Sequence, residues 1–332
     1  MHATLPTMMR FQTLLLSLLH LLVDGVCACG MMIMTHQPTS SLEAGGMIIL
    51  YNLLAFGTQP LTGRWVDHGG ARPQALILAV TLLIGGALVS LLATFMSLLT
   101  TIAGTILLGM GNSLFHVYGG KYVAVASHTD IRAMGVFVSP GAVGLAIGIG
   151  FSSPVLLAVL TIALLALSAL HLRKAYGQHG WLNAERSSRI GSETLILCCL
   201  MLVVACRAFV GESVPSLRIG ISSLGSSVMM VMVSCIVMMG KAAGGFLSRC
   251  WGVWTVFILS VMLSGICWLM CPWHDGFVLL TLLLINLSMP CTLYWATKAV
   301  PGREGWAFGL LAMALLFGSL YDDLVGYIAL LL

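Results

Sequence analysis

The sequence predicts an all-α integral membrane protein with about 11 to 12 transmembrane helices, the last one short or missing. Three observations lead there. Hydrophobic residues make up 59% of the chain and charged residues 8%, against roughly a quarter charged in a soluble globule. The apolar residues fall into runs long enough to cross a bilayer as helices. Within these runs nothing alternates as a membrane β-barrel strand would, and a lipid-buried backbone leaves only helix or closed barrel.

The runs lie at 11–34, 44–62, 74–94, 97–118, 131–150, 153–171, 193–212, 224–247, 253–270, 277–297 and 305–321. The remaining stretch from Leu324 to Leu332 is too short for an ordinary span. Arg10 before the first run imitates a signal peptide, and Val26-Cys27-Ala28-Cys29 imitates a lipoprotein box. Asp24 interrupts that run and many spans follow, so the first run reads as an uncleaved helix. The ten Cys form no C-x-x-C pair or regular framework and read as small core residues.

With alternating helices, Arg10, Arg64, Arg72, Lys121, Arg132, Arg173, Lys174, Arg186, Arg189, Lys241, Arg249, Lys298 and Arg303 collect on one side. Arg207 and Arg218 do not. The positive-inside rule then puts the N-terminus in the cytoplasm of a bacterial inner membrane, with Lys121 as an anchor at a helix end. A formal charge of +4 calls for no nucleic-acid partner. The longest polar stretch separates two bundles, giving residues 1–172, a cytoplasmic linker at 173–192 and a second bundle at 193–332.

Between the second and third runs lies Gly63-Arg64-Trp65-Val66-Asp67-His68-Gly69-Gly70-Ala71-Arg72, read as a polar loop in which Asp67 receives a donor or caps the next helix. Gly245, Arg249 and Gly252 repeat the spacing of Gly63, Asp67 and Gly70 after the second run of the other half, with Arg replacing Asp. The G-x-x-x-D-x-x-G-x-R spacing, its second copy and the linker between halves resemble transporters of the major facilitator superfamily. Within it, His20-Leu21-Leu22-Val23-Asp24, Gly109-Met110-Gly111-Asn112-Ser113-Leu114-Phe115-His116 and the stretch from Ser139-Pro140-Gly141 to Gly148 look like fosmidomycin-resistance permeases. The resemblance implies two pseudo-symmetric bundles around a midplane cavity. It also implies that Gly63, Asp67, Gly70 and Arg72, with Gly245, Arg249 and Gly252, form a conformational latch.

Ionisable residues at membrane depth are costly and mark candidate sites. His20 and Asp24 share one helix face, one turn apart, and read as a proton-coupling pair. Down that face come Cys27, Met31 and Met34, a stripe that suits a soft metal such as Cu(I); with 20 Met in the chain, core filling explains it too. Asn112, His116 and Tyr118 could face a central cavity. Arg207 requires a carboxylate partner or an anionic solute; Glu212 is poorly spaced to serve it, and Asp24 or Asp322 from another helix would serve better. Asn286 and Tyr294 flank Pro290 in the tenth run and complete the candidate solute contacts. Gly135, Gly144 and Gly148 give the fifth run a thin face for close packing.

No H-E-x-x-H, G-x-S-x-G or P-loop is present, so neither an enzyme nor an ATP-driven pump is expected, and no cofactor. The expected activity is proton-coupled movement of a small solute across the bilayer by alternating access. Two alternatives stay open: a soft-metal transporter, and a non-transporting assembly subunit whose partner membrane protein supplies a helix.

Overall fold

The computed structural model describes residues 7–36, 40–69, 73–92, 97–175, 192–217 and 226–331, and side chains within 11–36, 40–68, 73–92, 97–175, 193–211 and 226–318. Most of the 173–192 linker, along with Gly70 and Arg72, therefore lies outside the described residues.

The first half comprises α1 (Thr7–Thr35), α2 (Ser41–Asn52), a π-helical turn (Leu53–Gly57), α3 (Gln59–Gly69), α4 (Pro73–Leu92), α5 (Leu98–Ala126), α6 (Ile131–Val138), α7 (Gly141–Gly150) and α8 (Pro154–Ala175). The second contains α9 (Ser192–Leu217), α10 (Ser226–Trp251), α11 (Val253–Met270), α12 (Asp275–Asn286), α13 (Ser288–Ala299) and α14 (Glu304–Leu331). Among the described residues nine helical spans are long and apolar enough to cross a membrane. The interrupted segment α2–α3 and the helix α14 bring the described segments to eleven.

Prolines explain the interruptions. Pro60 lies in the first turn of α3, Pro140 directly precedes α7, and Pro290 lies in the first turn of α13. A proline tolerates a first turn, where its missing N–H costs nothing, and ends the helix before it. Loss of ladder bonds is survivable in a membrane only where side chains reclaim the freed carbonyls. At Pro140 they do: the Val136 carbonyl, denied its partner four residues on, accepts the hydroxyls of Ser17 at 2.6 Å and Ser139 at 3.0 Å.

One sequence expectation is corrected. The stretch beginning at Gly63 is not a loop up to Gly69, since α3 stays helical to that residue. Polar residues there (Arg64 and Asp67) look like a break although the backbone ladder runs through them. Residues 324–331 continue α14, in keeping with a short or missing last segment.

The two halves meet along α14 against α3 and along α10 against α6 and α7. Small residues set that spacing, as packing in lipid requires. A Cβ on Gly63 would lie 2.3 Å from the Gly305 carbonyl oxygen, and one on Gly245 would lie 2.7 Å from that of Ile131. The repeated glycines thus do one job in both halves: each lets its helix touch the first turn of a helix from the other.

Candidate functional site

The site begins with two i,i+4 pairs on facing helices. His20 and Asp24 on α1 lie 3.3 Å apart, and His116 on α5 reaches the same carboxylate at 3.4 Å. The two imidazoles meet Nε2 to Nε2 at 2.9 Å. Asn112, one turn before His116, donates its amide to Asp24 at 3.2 Å. All this sits where α7 starts: a Cβ on Gly141 would lie 2.4 Å from Asp24 Oδ2 and 2.5 Å from His20 Nε2. Gly141 is therefore part of the site, a role its place in the fifth run does not reveal.

Hydrogen-bond inventory determines the tautomers. His20 Nδ1 faces the Phe137 carbonyl at 2.8 Å, and His116 Nδ1 faces the Asn112 carbonyl at 2.9 Å. A carbonyl only accepts, so both Nδ1 atoms carry hydrogen and, in neutral rings, both Nε2 atoms present bare lone pairs. Two lone-pair nitrogens and a carboxylate oxygen then converge with nothing between them to donate. One proton placed on either Nε2 supplies the missing donor, turning that ring's contacts with the other imidazole and the carboxylate from repulsive to charge-assisted. These three side chains also lie within 4.8 Å of one another, a spacing a cation could bridge. The Asp24 side chain keeps 17% of its surface accessible, against 7% and 8% for the histidines, so the cluster opens through Asp24.

Across the seam, α9 and α10 bring two cations to similar depth. Arg207 is 6% exposed, and its Nη1 has no hydrogen-bond partner among the described residues. Lys241 lies within electrostatic reach of both Arg207 and Asp24. The charge pattern groups Lys241 with the basic residues of one side, but it stands inside α10. A signal was available: it precedes Gly244-Gly245 within an otherwise apolar run.

At one end of the molecule Asp67 on α3 accepts the backbone N–H groups of Gly305 at 3.0 Å and Trp306 at 2.8 Å. It caps α14, not the helix that follows it, because the first-turn N–H groups of α14 arrive without partners. Asp67 also pairs with Lys121 at 3.0 Å, with the lysine side chain 2% exposed. Lys121 is thus no anchor at a helix end; α5 continues past it to Ala126. In the pseudo-symmetric place Arg249 is exposed and within electrostatic reach of Asp130, the N-cap of α6. Burial opposes ionisation of Asp130, but hydrogen bonds from the Arg132 side chain and backbone outweigh it and hold the carboxyl below its ordinary range. Gly252 caps α11 at a φ of 91°, where a side chain would be strained.

Between the His20–Asp24–His116 cluster and the Asp67 end the bundle is packed shut. Phe308 of α14 lies over Gly120, and its ring centroid stands 6.2 Å from that of Phe137. A void of only about 10 Å³ remains among these residues, Thr297 and Leu293.

The remaining candidates separate from these groups. Tyr118 bonds His171 at 2.9 Å, and His171 bonds Gln12 at 2.7 Å, a buried chain tying α5 to α8 and α1. Tyr294 holds its hydroxyl against Lys298. Asn286 donates to the Leu282 carbonyl and packs beside Gly240, next to Lys241. Cys27 donates to the Leu108 carbonyl, while the Met34 sulfur packs at Gly104; Met31 is buried nearby on α1. The side chain of Glu212 lies outside the described residues.

No family model and no curated protein matches the sequence. Solved structures do match its fold. The chain resembles the E. coli fucose:proton symporter FucP with a TM-score of 0.68 at 13% identity, covering 98% of this chain and 93% of that one. It resembles the human organic anion transporter MFSD10 with a TM-score of 0.65 at 16% identity, covering 98% and 95%. A bacterial homologue of the iron transporter ferroportin, in an outward-facing state, gives 0.67 at 13% identity over 96% and 92%.

Proposed function

The chain has the fold of major facilitator superfamily transporters, and from that premise we propose that it is a secondary transporter that couples a proton to the movement of a small solute. The observation that carries the reading is the convergence of His20 Nε2, His116 Nε2 and Asp24 with both Nδ1 hydrogens already committed. Such a group holds a proton tightly while its acceptors face one another and gives it up when they are pulled apart. Its members come from α1 and α5, and α7 closes over them at Gly141, so rocking of the bundles would change both the acceptor spacing and the exposure of Asp24.

In this reading Asn112 and His116 belong to the proton carrier, not to the solute. The packed Phe137–Phe308 layer and the Asp67 cap close one end, and the Asp67–α14 bonds hold that closure until α14 moves away. The basic residues near the closed end support reading it as the cytoplasmic side.

Solute accumulation tests the assignment. In liposomes Asp24→Asn should keep solute exchange at equilibrium and lose accumulation driven by a proton gradient. Full uphill transport by this variant would sink the proposal.

A further inference from the structure

Two cationic side chains lie in the second half without any carboxylate assigned to them. Arg207 is nine-tenths buried, its Nη1 lacks a partner, and no described residue pairs with the guanidinium. A guanidinium that no described carboxylate neutralises at membrane depth is among the most expensive groups a bundle can carry, and such a group marks a candidate site for an anion. Lys241 is the independent second observation: it also has no ion pair among the described residues, and the charges of Arg207 and Asp24 both act on it. Asp24 cannot discharge both cations, because one carboxylate carries a single negative charge.

Position agrees with charge. At 1.5 Å per residue, Asp24, Arg207 and Lys241 each stand about 15 to 25 Å along their helices from the closed end, near the middle of a bilayer. Lys241 lies on the seam itself, since the Lys241 carbonyl is the atom that a Cβ on Gly135 of α6 would meet. Asn286 packs at Gly240, the residue before Lys241, and Cys291 is the thiol within electrostatic reach of Arg207.

We infer that Arg207 and Lys241 form an oxyanion site in the second half, facing the proton-carrying cluster of the first, and that the solute is an anion presenting a carboxylate or phosphate group. The planar fork of Arg207 suits two oxygens of one such group, and Lys241 adds a point charge from the seam side. With Asp24 ionised and its cluster unprotonated, these three groups carry a net charge of about +1, and with the shared proton about +2. A proton on the first half therefore strengthens attraction for an anion in the second, which is the coupling sign a symporter needs. The inference rests on the transporter reading for its role as a solute site, but the binding itself is measured without transport.

Thermal unfolding of the full chain in detergent, at constant ionic strength, is followed with acetate, benzoate and inorganic phosphate, and with acetamide and benzamide as neutral counterparts. The oxyanions should raise the midpoint in a concentration-dependent way while the amides do not. This comparison needs no variant. A response confined to acetate and benzoate identifies a carboxylate, and one confined to phosphate identifies a phosphate group. Arg207→Gln and Lys241→Gln, each first shown to be monodisperse, should weaken the response by about tenfold or more. Equal stabilisation by amides, no response to any oxyanion, or unchanged affinity in both variants would overturn the site. Oxyanion binding that survives in Asp24→Asn while that variant still accumulates solute uphill would leave the anion site standing and remove the proton assignment.

Discussion

Lys121 and Asp67 form a buried ion pair at 3.0 Å that joins α5 to α3, and the same carboxylate takes two backbone N–H groups from the start of α14. One aspartate thereby fastens its own half internally and holds the other half closed. Asp67→Asn leaves Lys121 charged at 2% exposure, a loss of about 3–5 kcal/mol for a buried pair broken on one side. In a background lacking the exposed cysteines, a cysteine at Thr297 should then react faster with a maleimide added from that end. Lys121→Met in the same chain should recover part of the lost stability, because it removes the orphaned charge.

Close approach of the halves is a second measurable quantity. Gly63→Ala would push a methyl to 2.3 Å from the Gly305 carbonyl, costing about 1–3 kcal/mol in overpacking and disfavouring the closed end. Gly265→Ala on α11 meets nothing within 4 Å, and should be neutral or stabilising by up to about 1 kcal/mol through helix propensity. Thermal unfolding of the two variants side by side separates contact from propensity.

Pro140 acts at a distance on the cluster. Pro140→Ala restores an N–H that competes with Ser17 for the Val136 carbonyl, so the end of α6 should regularise and its grip on Ser17 and His20 should loosen. The expected result is full-length, folded protein with proton-driven uptake reduced about tenfold or more and exchange spared. Unchanged uptake would show that the break at Pro140 does not position the cluster.

These examples also show what the sequence could reveal. Segment number, the glycine-and-charge repeat and the His20–Asp24 pair are local patterns of composition and spacing, and each was legible. That His116 belongs with Asp24, that Lys121 pairs with Asp67 and that Tyr118 turns toward His171 depend on which faces of separate helices meet. The sequence puts Lys121 at a helix end because the polar Tyr118-Gly119-Gly120 stretch reads as the end of a helix that in fact continues. Gly141 was legible as small, but the groups its missing side chain makes room for come from more than a hundred residues away.

Asp130 supplies a pH signature independent of the membrane core. Its carboxyl is held below the ordinary value of 3.8, so its contribution to stability is present above that value and disappears as pH falls through the folded one. Unfolding midpoints of wild type and Asp130→Asn should differ near neutrality and converge under acid. A constant gap down to pH of about 3 would place the stabilisation elsewhere.

The central claim is that the proton bound among His20, His116 and Asp24 moves with the solute. Purified protein in liposomes enclosing a pH-sensitive dye, challenged with the oxyanions that bind it, tests this most directly. The account predicts a proton flux that begins on solute addition, is lost in Asp24→Asn and falls sharply in His116→Gln. Solute entry with no proton movement in the wild type, or an undiminished flux in Asp24→Asn, would contradict it.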